Sequence, residues 1–379
     1  MALCRKCIIP DSYPDITFED GLCSFCRVHE KAPHVNRSYK GEELLREKLT
    51  SQGANPYHCL VPLSGGKDSS YAIMHLVKKL GLKPLAAHFD SGFIDEKTKS
   101  NIEKITSSLG VDLVIGRATP FRKKMIQESF AMAKYGPRYG GVTGVGGLCV
   151  NCENSLRSFA INEARTRNIP FIIWSSTDFE DAPDAFLKGD DSQFKVTYGS
   201  LSDRFNMKRV KKIYEGIVGD YRVLKYFWNL PFMYHGLRHF CHKVNDNRTM
   251  KNPERYAGID PFTEVSFLGK GIEVVYFYEY IAYDPYRHIE ALNREIGWET
   301  LMGKETRQDC KLHHLLNYRG YKRNHITNDG FFLSVLVREG LLDREKAIQK
   351  EQSVVEKLEE NVRQLLKDLE ASVAMENLQ

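Results

Sequence analysis

Two groups of residues in this 379-residue chain have the types and spacing that chemistry requires. The first is Ser64-Gly65-Gly66-Lys67-Asp68-Ser69-Ser70, which follows the apolar run His58 to Leu63 and leads into a helical pattern from Asp68 to Leu80. A strand that turns on glycine into a helix aims backbone N–H groups at one point, where Ser64, Ser69 and Ser70 add hydroxyls and Lys67 adds a cation. That is a cradle for phosphate oxygens. Its spacing is not G-x-x-x-x-G-K-[ST], which disfavours a Walker-type NTPase that transfers a γ-phosphate. The second group is Cys4, Cys7, Cys23 and Cys26, spaced C-x2-C-x15-C-x2-C. Four thiolates at this spacing surround one tetrahedral ion, Zn²⁺ by preference with iron as the alternative, and filling all four positions makes the site structural.

Further residues invite a role with less support. Cys149 and Cys152 make a third C-x-x-C pair, just before a helical pattern through Leu156, Phe159, Ala160 and Ala164, where a helix N-terminus would lower thiolate pKa. With Cys241, in Arg238-His239-Phe240-Cys241-His242, they read either as three thiols converging near the cradle in a site sheltered by aromatic residues, or as a pair plus an unrelated buried cysteine. His235, His239, His242, His288, His313 and His314 are acid–base or sugar-binding candidates against an ordinary packing role. Arg323 and Arg338 could grip a diphosphate or carboxylate bidentately, or simply form surface ion pairs.

The elements that must position these groups alternate. Short apolar runs at His58 to Leu63, Pro84 to Phe89, Asp112 to Ile115 and Phe171 to Trp174 alternate with helical patterns at Asp68 to Leu80 and Glu96 to Leu109. This order predicts an α/β fold with a parallel sheet. Glycine-rich Tyr135 to Gly147 predicts a loop near the ligand, and Asp203 to Phe227 an amphipathic basic helix. Glu273 to Ala282 predicts a strand, followed by a helix with Asp284 as N-cap and Pro285 at its first position. A long amphipathic helix is expected over Arg344 to Val373, with Val354, Leu358, Val362, Leu365, Leu366, Leu369 and Val373 on one face that packs on the body or on a second subunit. Three regions follow: a Cys4 zinc module (1–33), an α/β domain (40–200) and a substrate-binding and helical C-terminal region (201–379).

Composition bounds the classes. A hydrophobic content of 42% supports a sizeable core, and a net charge of +5 suits phosphorylated substrates without marking a dedicated nucleic-acid binder. No apolar run approaches the ~20 residues that span a bilayer, and no signal-peptide core follows Met1, so no membrane partner and a cytoplasmic setting are expected. In a reducing compartment the nine cysteines favour metal or redox sites over disulfides.

The string Ser64 to Ser69, in its strand–loop–helix context, resembles the pyrophosphate loop of the PP-loop ATP pyrophosphatases, the adenine nucleotide alpha-hydrolase-like enzymes that adenylate an oxygen and release pyrophosphate. The resemblance implies ATP and Mg²⁺ as cofactors, Asp68 placing Mg²⁺, Lys67 neutralising phosphate charge, and the segment His88 to Gly92, with Asp90, contacting adenosine. Most of the chain further resembles the N-acetyl sugar amidotransferases of bacterial surface-polysaccharide synthesis, including lipopolysaccharide and its O-antigen. The matching residues are Cys4-Arg5-Lys6-Cys7, Pro14, Gly21 to Cys26, Gly271 to Tyr278, Asp284-Pro285, Asp309, His313, Gly320 to Arg323, Arg338-Glu339-Gly340 and Arg344 to Ala347. This implies a nucleotide-activated N-acetyl sugar as substrate, conversion of acetamido to acetamidino, Asp309 and His313 in catalysis, and a glutaminase subunit supplying ammonia. The chain departs from that family's Gly-Glu-Asn pattern at Trp174-Ser175-Ser176-Thr177. There it is similar instead to cysteine-rich tRNA thiolation enzymes, whose aspartate-containing ATP segment corresponds to Thr177-Asp178 through Asp181. Under that alternative Cys149, Cys152 and Cys241 would carry an iron–sulfur cluster and tRNA would be the partner.

Overall fold

The computed structural model describes residues 2–13, 16–31, 39–51, 53, 55–118, 120–133, 156–157, 159–177, 230–231, 233–238, 241–242, 272–300 and 310–369. The expectations for Tyr135 to Gly147 and Asp203 to Phe227 lie outside them, as do Cys149, Cys152, Asp178 and Asp309.

Five strands, β3 (Cys59–Pro62), β4 (Pro84–Asp90), β5 (Leu113–Arg117), β6 (Phe171–Trp174) and β7 (Glu273–Tyr276), form one parallel sheet in the order β5-β4-β3-β6-β7. Both faces are covered, so the strands read as continuous apolar runs, and alternate residues serve opposite cores. Val61, Ala86, Phe171, Ile173 and Val275 pack with α2 (Glu42–Thr50), α3 (Lys67–Lys78), α4 (Glu96–Leu109) and α6 (Pro285–Ile296). Leu60, Leu85, Ala87, Phe89 and Ile172 pack against Phe159, Ala160 and Ala164 of the helical residues 159–166. Strand β7 is shorter than the sequence pattern suggests, because at Phe277–Glu279 the chain coils into a 3-10 turn that buries Phe277.

The helix ends follow their local chemistry. Asp95 accepts from Thr98 N at 2.8 Å to start α4, and Gly110 ends it in the left-handed region. Asp284 accepts from the N–H groups of Tyr286 and Arg287 to start α6, with Pro285 at its first position. Among the described residues α5 (Pro120–Ala133) follows β5, and α7 (His313–Asn324), α8 (Asn328–Arg338) and α9 (Arg344–Asp368) follow α6. The apolar face of α9, Val354, Leu358, Val362, Leu365, Leu366 and Leu369, is buried within the chain against Phe93, Ile126, Leu312, Leu315 and Tyr318. Among the described residues no helix is long and apolar enough to cross a membrane.

Helices α3 and α6 meet across an aromatic stack in which His288 lies 3.8 Å from the Tyr71 ring centroid. Burial, aided by the nearby Lys67 cation, pushes the His288 pKa down from 6.5 to about 3. The unfolded chain therefore takes up a proton below pH 6.5 that the native state refuses until about pH 3. Above that window the group leaves stability unchanged; within it, stability falls with falling pH by up to about 1.4 kcal/mol per pH unit. Urea unfolding at neutral pH and at several acid steps should show this loss, and His288→Gln should flatten the slope.

Candidate phosphate cradle and metal centre

The sheet order places a reversal beside β3. From β3 the chain winds outward to β4 and β5, then returns to β6 and β7 on the other side. The crevice at the carboxyl ends of β3 and β6 is therefore a topological switch point, where open α/β sheets bind ligands. Ser64 to Ser70 leave β3 there, Thr177 follows β6, and Asp90 ends the neighbouring β4.

The loop after β3 is shaped from within. Leu63 N–H extends the ladder to Ala87 O at 2.9 Å. Gly65 then takes φ +85, and a Cβ there would lie 2.8 Å from Thr98 Cγ2 and 2.9 Å from Thr98 O, so only glycine fits both the backbone and the space. Trp298 Nε1 donates to Gly65 O at 3.2 Å and fixes the loop from the far side. Ser64 N–H donates to Ser69 Oγ, the two hydroxyls lie 3.2 Å apart, and Gly66 N–H donates to Ser64 Oγ. Helix α3 begins at Lys67 with Gly66 as an N-cap that offers no side-chain acceptor, so the first-turn N–H groups keep their capacity for an anion.

Lys67 is 6% exposed and its Nζ pairs with Asp68 Oδ2 at 2.8 Å, while the ring of Phe332 lies 5.3 Å beneath it. A lysine at a helix N-terminus adds to the positive end of the dipole, so the loop concentrates positive potential where a polyphosphate would lie. Tyr278 hydroxyl donates to Asp68 O at 3.3 Å, and burial keeps that phenol protonated well above its ordinary range. Ser70 and Thr177 are buried, and their hydroxyls have no hydrogen-bond partner among the described residues. Asp90 accepts from Gly92 N–H at 2.8 Å and turns the chain after β4.

His313, at the start of α7, pairs through Nε2 with Asp329 Oδ1 at 2.7 Å. Trp298, Phe332 and Asp329 join this neighbourhood without any motif that announces them, whereas Tyr278 closes the matching run Gly271 to Tyr278. Arg338 departs from its expected place: it is 7% exposed, stacked on Phe25 and Phe331, and belongs to the buried flank of the cysteine module instead of an open anion site. His288 likewise belongs to the α3–α6 stack. Cys241 is exposed, which corrects the expectation of a sheltered site, and His235, with Arg238, is paired to Glu128.

The four N-terminal cysteines converge. Asp20 and Gly21, both at positive φ, make the two-residue turn between β1 (Phe18–Glu19) and β2 (Leu22–Cys23), which carries Cys23 and leads into α1 (Ser24–Lys31) with Cys26. All four sulfurs lie within 4.8 Å of one another, with Cys4–Cys26 and Cys7–Cys23 each at 3.7 Å. A tetrahedron with Zn–S bonds of ~2.3 Å has edges of ~3.8 Å, so these spacings suit zinc. The four thiols are close enough to couple their protons: hydrogen bonding among them lowers the pKa of Cys4 and Cys7, while those of Cys23 and Cys26 are raised. Arg344 donates to the carbonyls of Cys4 and Cys7, fixing the first loop to the start of α9.

No family model matches the chain. An uncharacterized protein of Methanocaldococcus jannaschii is 30% identical over 115 residues, which is 30% of this chain and 41% of that protein, so the chain spans less than half of this relative. The structure of NMN synthetase from Francisella tularensis aligns with 36% of this chain and 56% of its own at 16% identity and a TM-score of 0.28, too little shared geometry to argue from.

Two outcomes test this geometry. Gly65→Ala should lower stability by about 1–3 kcal/mol and weaken ATP binding, since strain and the Thr98 clash both act on the loop; thermal melts and calorimetric titration check it. Cys4→Ser or Cys23→Ser should lower zinc stoichiometry and melting temperature together, measured by metal analysis and thermal melts.

Proposed function

We propose that the chain is an ATP pyrophosphatase of the PP-loop kind, and within that class an amidotransferase acting on a nucleotide-activated N-acetyl sugar in bacterial surface-glycan synthesis. The observation that carries the reading is the Ser64–Ser70 loop at the switch point of a parallel sheet, with Lys67 and the open N–H groups of α3 aimed at one place. The sugar assignment rests on the sequence resemblance beyond the loop.

The donor set fits a pyrophosphate. Backbone N–H groups, the Ser64 and Ser69 hydroxyls and the Lys67 ammonium would bind the β- and γ-phosphates, and Asp68 would hold Mg²⁺, which supplies charge neutralisation when bound. An amide carbon is a poor electrophile because nitrogen donates into the carbonyl, and its oxygen is a poor leaving group. Attack of the acetamido oxygen on the α-phosphorus cures both, with pyrophosphate leaving into the cradle. Ammonia then displaces AMP and leaves an acetamidine. A glutaminase partner would deliver that ammonia unprotonated. Zinc held by Cys4, Cys7, Cys23 and Cys26 would brace the N-terminal module without entering the reaction.

Incubation with ATP, ammonium and a panel of nucleotide-activated N-acetyl sugars should yield AMP, pyrophosphate and a slightly lighter sugar by mass spectrometry. ADP with phosphate would overturn the ATP assignment, and sulfur entering tRNA would replace the sugar reading by thiolation. Asp68→Ala should reduce turnover at least about 10²-fold and also lower the melting temperature, because it leaves the buried Lys67 ammonium without this carboxylate.

A further inference from the structure

We propose that Asp329 is a positioning residue that holds His313 as the general base for the amine-transfer half of the reaction. The inference rests on the adenylation reading above. The observation behind it is a buried carboxylate clamped between two side chains of one helix. Asp329 is 1% exposed; its Oδ1 lies 2.7 Å from His313 Nε2, and its Oδ2 accepts from Asn317 Nδ2 at 2.9 Å. His313 and Asn317 are four residues apart on α7 and so share a face, while Asn317 Oδ1 accepts in turn from Asp329 N–H at 3.1 Å. The base of α8 is itself anchored, because Glu351 accepts from both Thr327 N–H and Thr327 Oγ1. The carboxylate has little freedom to turn.

The pair lies beside the cradle. Phe332, three residues after Asp329 and so on a neighbouring part of the same helix face, supports Lys67 Nζ at 5.3 Å. On the other side, Lys311 N–H donates to Phe93 O at 2.9 Å, and Leu312 packs with Phe93, so α7 starts against the loop that leaves β4. His313 is thus tied through Asp329 to the helix that carries Phe332 under Lys67, and through the start of α7 to the loop after Asp90. A network that merely ties α7 to α8 would work equally well anywhere along the two helices. This one ends in an imidazole at the start of α7.

Acceptance by the carboxylate puts the proton on Nε2 and leaves Nδ1 with its lone pair. The chemistry needs such a group. When ammonia adds to the carbon of a neutral O-adenylyl imidate, a carbon–nitrogen bond forms, the π pair of the carbon–nitrogen double bond moves onto the original nitrogen, and the new nitrogen becomes positive. Nδ1 of His313 takes one of its protons, and Asp329 stabilises the imidazolium so formed. The carbon–oxygen bond then breaks, AMP leaves with the bonding pair, and the proton returns to the original amide nitrogen to give the amidinium. Atoms and charge balance without a further reagent.

The test uses the full-length zinc-loaded chain. In ¹⁵N-histidine-labelled protein, His313 should show a protonated Nε2 and an unprotonated Nδ1, and Asp329→Asn should disturb that tautomer. Wild-type protein with the proton on Nδ1 would overturn the proposal whatever the substrate proves to be. In the ammonium assay, Asp329→Asn should lower kcat by about 10²–10⁴-fold while KM for ATP stays within about twofold. His313→Ala should lose kcat similarly and regain part of it with added imidazole. A purely structural role is the finding if ATP affinity and melting temperature fall in step with kcat and imidazole restores nothing. Should the wild type release no AMP from ATP at all, the adenylation reading fails and the transfer role with it, while the tautomer measurement still reports whether Asp329 orients the ring.

Discussion

The structure depends on one close approach, between the backbone of Gly65 and the side chain and carbonyl of Thr98. With space for no methyl group between them, β3 can end, reverse through a positive φ and enter α3 within a few residues. The same contact sets α4 against the loop, and the neighbouring Asn101 continues the clamp by exchanging two hydrogen bonds of 2.8 Å with the backbone of Glu299. Trp298, next in the chain, donates to Gly65 O. A segment 233 residues downstream of Gly65 thereby holds the loop that opens α3. Rigidity at that point matters because donors aligned before an anion arrives need no reorganisation when it does.

Lys67 shows how the loop manages its charge. An ammonium removed from water costs several kcal/mol unless it is paired, and a helix N-terminus adds to that cost. Asp68 offsets part of it at 2.8 Å, and the face of Phe332 supplies a further attraction at 5.3 Å. The arrangement is neutral enough to fold and would become most favourable with phosphate oxygens bound, as the proposed function requires. The neutral state of His288 behind α3 belongs to the same balance, since a second buried cation near Lys67 would oppose it.

Much of this was legible in the residues. The parallel sheet, the β3–loop–α3 junction and the Asp284-Pro285 helix start follow from patterns that depend on near neighbours: apolar runs, glycine between strand and helix, and an N-cap followed by proline. The convergence of Cys4, Cys7, Cys23 and Cys26 was legible for the same reason, because C-x-x-C spacing is a local constraint. What escaped are contacts made across the chain. Trp298 donates to a carbonyl 233 positions away, and nothing around it distinguishes it from an ordinary core tryptophan. Asp329 reads as one more polar residue in a helix-start sequence, and only the fold brings it to His313. Arg338 reads from the sequence either as a bidentate anion grip or as a surface ion pair, but two aromatic rings and the cysteine module enclose it, and the contact with Phe25 across the chain is not signalled locally.

Helix α8 joins these sites into one body. One flank, Phe331, packs on Tyr13 and Phe25 of the cysteine module, with Arg338 stacked on Phe25 and Phe331 a little further along. Phe332 meets Lys67 of the cradle, and Asp329 meets His313. Phe331, Phe332, Leu333, Val335 and Leu336 share a buried cluster with all four cysteines. A metal held by these four thiolates would therefore not be remote from the Ser64–Ser70 loop in mechanical terms. Loss of the ion would free thiolates beneath the helix that supports both Lys67 and His313. A structural metal in this fold consequently bears on the geometry of the cradle through packing alone, without coordinating anything that reacts.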